Sequence, residues 1–416
     1  MKGRLARGLV LAGCLALAGA AGAAEPLRVG TPADYAPFSI DDPAAPGGVD
    51  GFDVALLRAF ASDRGLALEW VRFRWPELAT ALAAGRFVLA AGGITVRPER
   101  SLIGRFSVPL ATSGALVLVR VASPATSLEA LDRPGITLAV NAGGHLEQVT
   151  RLQFPRARLL ALPRNAAVRS ALLEGRADGA VTDTLEAPSW ERGAAGLRRL
   201  GPFTQDRKAW LVRADRPELA RAIDDWLLAR EADGTLGRLR ARWLGPETTA
   251  TARPLDALLA AVDERMALMP AVAEAKRRST RALRDPEREA RVLEAGQAAV
   301  REAAARLGSR PPPEADVRAL YRALIDGALA IEQATLERPA GAAPVADLER
   351  EIRPALVRLG ERIADLVVRL PAPLAPAEAR AAATAALRTP DLPAAARDRI
   401  ADAIAALASA RPAPSQ

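Results

Sequence analysis

Arg265 and Lys276 stand eleven residues apart in the stretch DERMALMPAVAEAK. At 3.6 residues per turn that is about three turns, so a continuous helix would carry both on one face, roughly 16 Å apart along its axis. Two cations in register beside an apolar stripe fit either a solvated face or a site for a small dianion. Earlier, Glu186 follows Asp183 by three residues in TDTLEA, near the end of an expected strand, where cleft residues of an α/β fold collect. A carboxyl group closed into such a cleft can have its pKa raised and serve as a general acid; an exposed helical Glu is the alternative. NAGGHLEQ places paired glycines before a helix, which suits anion capture by backbone N–H groups. That stretch holds Asn141 and His145, the only histidine. His145 could contact a carboxylate, move a proton near neutral pH, or cap the helix.

These residues need elements to hold them. In the first half, short apolar runs alternate with helical periodicity, the α/β signature. LRVGT, ALEWVRF, VLAAGGIT, GALVLVR, ITLAVN and DGAVTD read as strands. GFDVALLRAFASDRG reads as a helix closed by Gly65, and WPELATALAAGR, PELARAIDDWLLAREADG and TLGRLRARWLG as further helices. The second half is helical throughout, with helices expected over 254–280, 286–308, 314–336, 344–369 and 375–409, with breaks. Pro270 is expected to kink the first of them at the loss of a backbone hydrogen bond.

The aromatic residues mark the division. All six Trp and all eight Phe lie at or before Trp243, and only Tyr321 follows. GPETTATARP, at 245–254, reads as a linker. The 416 residues allow two or three ordinary domains. Net charge is +8, but the cations are scattered arginines without a polybasic tract or aromatic-interleaved patch, so nucleic acid is not an expected partner.

Residues 1–24 read as a secretory signal: Lys2, Arg4 and Arg7, an apolar run, then small residues, with cleavage expected near Ala23 or Ala24. LAGC at 11–14 offers a rival lipoprotein site at Cys14, but the apolar run before it is short and continues past it. Cys14 is the only cysteine, so the exported chain would have no disulfides and would depend on packing. No later segment reaches the roughly 20 apolar residues of a membrane span, and a periplasmic location is expected.

GFD at 51–53, GGITVRPERSLIGRFSVP and RADGAVTD resemble the type 3 periplasmic solute-binding fold. That resemblance covers roughly 26–245 and implies two α/β lobes, two crossing strands and a ligand cleft. ADYAPFSI, RWPEL, VNAGGHLEQVTR, TDTLEA and GPFTQDRKAWLV bring it closest to periplasmic cyclohexadienyl dehydratases. It implies Arg100 as a carboxylate-binding arginine and Glu186 as general acid. Asp183 matches the position that holds an amino group in amino-acid binders, so it could serve arogenate or cap a helix. Lys208 would face the site, and Trp75 would wall a ring or simply pack. Dehydratases of this kind show Thr-Asn after the paired glycines; here His145 and Leu146 stand there, which bears on substrate placement. Prephenate dehydration expels a ring hydroxyl as carbon dioxide leaves, which calls for one acid and for cations or amides at two carboxylates.

From about 254 to 370 the chain resembles an exported all-helical chorismate mutase. Arg265 and Lys276 match the cations of its first helix; Asp285, Arg288 and Glu289 in RDPERE, Glu332 in GALAIE, and Arg362 in LGERIADL match later positions. Ala328 stands where relatives often carry a hydroxyl. The rearrangement is pericyclic and needs no nucleophile, metal or cofactor. It needs a dianion held compactly and a donor at the breaking ether oxygen. The resemblance implies that Arg265, Arg288 and Arg362 take carboxylates and that Lys276 faces the ether oxygen. Glu332 would donate while protonated, and Asp285 and Glu289 would bind a hydroxyl or orient arginines.

The chain is thus read as multidomain: signal 1–24, a two-lobed α/β periplasmic-binding-protein-like domain at 25–245, a linker at 246–254, an all-α chorismate-mutase-like domain at 255–410, and a disordered tail at 411–416. The mutase makes prephenate and the dehydratase consumes it, so the expectation is a cofactor-free bifunctional enzyme acting on chorismate and on prephenate or arogenate. A non-catalytic binding domain for an amino acid or aromatic acid, beside a mutase, is the alternative. Oligomeric state is left open.

Overall fold

A computed structural model describes residues 25–192, 194, 196–246, 250–279, 281–340, 345–371 and 373–410. The expected signal, the expected tail and part of the expected linker lie outside the described residues.

The first half forms two five-stranded sheets. In the first lobe, Leu27–Thr31 pairs in parallel with Leu68–Arg72 and Leu89–Ala90, and Leu211–Arg213 then joins antiparallel to Leu89–Ala90 and to Gly104–Phe106. In the second, Thr137–Asn141 lies parallel to Arg158–Leu162 and Gly179–Asp183, and Ala115–Arg120 runs antiparallel to Gly179–Asp183 and Leu197–Leu200. The inner strands Leu27–Thr31, Ala115–Arg120, Thr137–Asn141 and Gly179–Asp183 are mostly buried, while the edge strands Leu68–Arg72, Arg158–Leu162 and Leu197–Leu200 stay partly exposed. The chain passes between lobes along Ala111–Ser113 and returns along Asp206–Lys208, and the two segments pair antiparallel. They are the two crossing strands.

The expected strand VLAAGGIT shrinks to Leu89–Ala90. Gly92 and Gly93 adopt φ of 116° and 73°, which turns the chain out of the sheet. Their N–H groups donate to the buried Asp53 carboxylate at 2.6 and 2.8 Å. Asp53 therefore shapes the loop that leads to Arg100.

In the second half the expected 254–280 helix is two helices, Pro254–Ala267 and Met269–Arg278, joined at Leu268. Pro270 sits in the first turn of the second, where the missing N–H has no intrahelical partner to lose, so it starts a helix rather than kinking one. Pro286–Arg306, Glu314–Leu336, Arg353–Val368 (led by the short turn Leu348–Ile352), Pro376–Ala386 and Ala394–Ser409 follow. Gly296 allows Pro286–Arg306 to approach Glu314–Leu336: a Cβ there would lie 2.6 Å from the Tyr321 ring. Among the described residues no helix is long and apolar enough to cross a membrane.

The two halves share one apolar core and a buried polar seam. Ser101 Oγ donates to Glu264 Oε1 at 2.7 Å, Arg362 donates to Glu264 Oε2 at 3.0 Å, and Arg362 also donates to the Ser107 carbonyl at 2.9 Å. Arg358 donates to the carbonyls of Ser101 and Leu102, and Arg207 on a crossing strand pairs with Asp263 at 2.6 Å.

Candidate active sites

The cleft between the lobes is closed down to a cavity of about 30 Å³, walled by Tyr35, Trp75, Arg100, Asn141, His145 and Lys208 among others. That is room for water and not for a ten-carbon dianion, so a ligand enters only as the walls move apart. Trp75 opens the turn Trp75–Glu77 and meets Tyr35 edge to face at 5.9 Å. Arg100 lies in the helix Pro98–Ile103, is buried, and donates to the Thr95 carbonyl at 2.9 Å. Burial, helped by neighbouring Arg97, pushes its pKa down to about 9. It stays cationic at neutral pH while short of solvation, the state in which a carboxylate binds well.

Asn141 ends the strand Thr137–Asn141, and His145 begins the helix His145–Gln153. His145 Nε2 meets Asp206 Oδ1 at 2.9 Å, and Thr204 donates to Asp206 Oδ2 at 2.9 Å. Lys208 Nζ lies 3.1 Å from Asp183, donates to Thr95 Oγ1 at 3.0 Å, and sits 5.0 Å from the Tyr35 ring centroid.

Asp183 is wholly buried and fully engaged. One oxygen accepts from the backbone N–H groups of Leu185 and Glu186, and the other from Tyr35 and Lys208. It holds the turn at 184–186 ahead of the helix Ala187–Glu191 and does not cap that helix. Glu186 is 1% exposed and accepts from Asn165 at 2.9 Å and Thr182 at 2.7 Å. Burial first, then the charge of Asp183, raises its pKa well above the usual value despite those donors. It is not itself a wall of the cavity. Asn165 is, which puts the Glu186 carboxyl one hydrogen bond behind the surface. Asn165 gave no signal in sequence because its partner Glu186 lies 21 residues away.

The second site is a pocket of about 470 Å³ among the C-terminal helices, within the range of small-molecule sites. Arg265, Lys276, Asp285, Arg288, Glu289 and Glu332 all line it, as does Ala328. Lys276 Nζ donates to Glu332 Oε2 at 2.6 Å and to the Leu283 carbonyl at 2.8 Å. Burial raises the Glu332 pKa although Lys276 opposes it. Burial lowers the Arg265 pKa, with Arg288 adding to the effect, and lowers that of Arg288, with Arg353 and Arg291 adding. Cations that lower one another's pKa in a partly dry pocket mark a place where an anion is favoured. Asp285 caps Pro286–Arg306 by accepting from the Arg288 N–H at 2.9 Å. Glu289 pairs with Arg284 and Arg322.

Arg362 does not belong to this pocket. It is 2% exposed, points into the seam between the halves and pairs with Glu264. Arg353 lines the pocket instead. The reason is helical phase: nine residues at about 100° each rotate by roughly 180°, so the two arginines occupy opposite faces of Arg353–Val368. Leu356, Val357, Gly360 and Glu361 share the pocket face with Arg353, at the i+3, i+4, i+7 and i+8 spacing that a periodicity count would have found.

Residues 27–246 match the family described as bacterial extracellular solute-binding proteins, family 3, and residues 256–333 match chorismate mutase type II. Cyclohexadienyl dehydratase of Pseudomonas aeruginosa is 34% identical over 223 residues, 52% of this chain and 82% of that protein. The L-cystine-binding protein TcyJ of Escherichia coli is 25% identical over 227 residues, 54% of this chain and 84% of that protein. Among solved structures, the ancestral amino acid-binding protein AncCDT-1, a precursor of cyclohexadienyl dehydratase, aligns with TM-score 0.50 and 33% identity, over 53% of this chain and 95% of that one.

Proposed function

Since the chain belongs to the bacterial extracellular solute-binding proteins of family 3 and carries a chorismate mutase type II domain after that fold, we propose that it is an exported bifunctional enzyme. The helical domain converts chorismate to prephenate. The cleft then dehydrates and decarboxylates prephenate to phenylpyruvate, or arogenate to phenylalanine. The observation that carries the mutase step is the convergence of Arg265, Lys276, Arg288 and Arg353 with Glu332 on one pocket. The arginines hold the two carboxylates in the compact conformer. Lys276 and protonated Glu332 meet the negative charge that grows on the breaking ether oxygen.

For the second step, support comes from the identity with the Pseudomonas dehydratase and from the buried carboxyl of Glu186, whose pKa burial raises. Arg100 takes a carboxylate, and Glu186 gives its proton to the departing hydroxyl once the cleft has opened to admit substrate and Asn165 has moved aside. Similarity to a cystine-binding protein favours a second reading, a cleft that binds a small acid without turning it over.

Purified protein given chorismate separates the two. Accumulating phenylpyruvate supports both steps; prephenate that accumulates unconverted leaves only the mutase; unchanged chorismate removes the mutase, and prephenate supplied directly then tests the second step. Glu186→Gln is expected to stop the second step and leave the first intact, read as prephenate build-up. The mutase rate is expected to fall as pH rises. Glu332 donates only when protonated, and its raised pKa brings loss of that proton toward the working range. Glu332→Gln, which keeps a donor at all pH values, should flatten the profile.

A further inference from the structure

An open pocket of about 590 Å³ lies behind the crossing strands, within the volume range of small-molecule sites. Side chains alternate along a strand. Lys208 points into the cleft, whereas Arg207 points away from it and reaches Asp263 of the helical half. Thr112 is the register partner of Arg207, shares its face, and walls the rear pocket with it. Thr184 and Pro202 of the second lobe close one side. The helical half closes the other. Asp256 and Ala260 wall the pocket one helical turn apart, and Asp263 continues that face to Arg207. Ala382, Ala385 and Ala386, at i, i+3 and i+4 on Pro376–Ala386, add an apolar wall.

The charges of this wall leave one cation over. Arg207 is paired with Asp263, and Arg253 with Asp256. Asp206 accepts from Thr204 and meets His145. Arg388 donates through Nε to the Ala385 carbonyl at 2.6 Å, and its two terminal nitrogens have no partner among the described residues. Ser113, also in the wall, is 8% exposed, and its hydroxyl lacks a hydrogen-bond partner among the described residues. A buried polar atom left idle is uncommon and favours a ligand that satisfies it. A guanidinium fork takes a carboxylate, and the alanines and Pro202 suit an apolar body. We propose that the rear pocket binds a small monocarboxylate with an apolar body and that its occupancy holds the cleft closed.

The way the halves are fastened supplies the coupling. Glu264 and Arg362 bolt the helical half to the first lobe through Ser101 and Ser107, and Arg207 ties it to a crossing strand. The helical half therefore travels with the first lobe. Substrate enters the cleft only as the second lobe swings away about the crossing strands. A swing that opens the front carries Thr184 and Pro202 toward the alanine wall behind. The rear pocket narrows as the cleft opens, so a ligand seated in it opposes opening. By linkage, a cleft ligand tightens the rear ligand by the same factor as the reverse. The inference rests on the dehydratase reading only for the substrate that reports closure.

The test gives the full chain prephenate with and without 3-phenylpropanoate as the rear-site probe. Closure retains substrate and slows release. Thus kcat and KM of dehydration are expected to fall together, by about fivefold or more at saturating probe, the lower end of ordinary coupling. Arg388→Glu should abolish that response and leave the rate without probe unchanged. Ala385→Trp, which fills the pocket with a side chain, should reproduce the joint fall with no probe present and leave the mutase rate unchanged. Competitive inhibition that is equal in the native protein and in Arg388→Glu puts the probe in the cleft and overturns the rear site. Ala385→Trp with native kcat and KM overturns the coupling to the cleft. If prephenate is not turned over, the dehydratase reading fails by itself. Calorimetric titration of the probe then decides the rear site: one binding event lost in Arg388→Glu supports it, and identical titrations of the two proteins sink it.

Discussion

Lys276→Ala is expected to lower mutase kcat/KM by about 10²–10³-fold, the usual effect of removing one donor to developing negative charge, and to leave prephenate dehydration unchanged. Two observations set the size. The ammonium is the group bonded to Glu332, at 2.6 Å, and both side chains wall the pocket. Losing it removes a donor and also leaves a buried carboxyl without its cation. Burial already raises the Glu332 pKa against the pull of Lys276, so without that pull Glu332 should hold its proton to higher pH. The variant's residual activity should therefore persist to higher pH than the native rate does. Chemical denaturation of the variant reports whether the protein is still folded. A loss below about tenfold would remove Lys276 from the reacting centre, because ordinary carboxylate binding by the three arginines could absorb so small an effect.

The parts of this site that were legible from sequence are those fixed by short spacing on helices. Arg265 and Lys276 reach one pocket even though their helix breaks at Leu268, where the backbone between the two helices keeps right-handed helical dihedrals, φ −82° and ψ −14°. The exchange of Arg362 for Arg353 shows where spacing was not followed far enough. A motif match placed an arginine on the right helix, and the 180° between them decided its face. Strand VLAAGGIT was overextended because two glycines looked like a strand end when they were a turn held by Asp53, about 40 residues away in sequence. Glu186 was found, but not the Asn165 that screens it from the cavity. The seam of Ser101, Ser107, Glu264 and Arg362 was invisible for the same reason: its partners lie far apart in the chain, and no local pattern links them.

That seam carries the second large effect. Arg362→Met is expected to destabilise the protein by about 3–5 kcal/mol, the cost of leaving one member of a buried pair uncompensated, with little change in the mutase KM. Arg362 and Glu264 are 2% and 5% exposed, and the arginine also satisfies the Ser107 carbonyl of the other half. Burial raises the Glu264 pKa even with Arg362 present, so removing the cation raises it further. A carboxyl with a raised pKa in the folded state binds protons more tightly there than when unfolded, so the deficit should grow as pH rises and shrink in acid. Chemical denaturation at about pH 5 and about pH 8 reads this directly. Glu264→Leu combined with Arg362→Met should recover part of the loss, since an apolar pair of similar volume carries no stranded charge. If Arg362→Met instead raises the mutase KM strongly at unchanged stability, Arg362 reaches substrate and its place in the seam is not the working one. Glu264 adjoins Arg265 of the mutase pocket, and Ser101, which bonds it, adjoins Arg100 of the cleft. Stability at this seam therefore sets how firmly Arg100 of the cleft and Arg265 of the helical pocket are held from behind, and mutase activity should decline as it loosens with temperature.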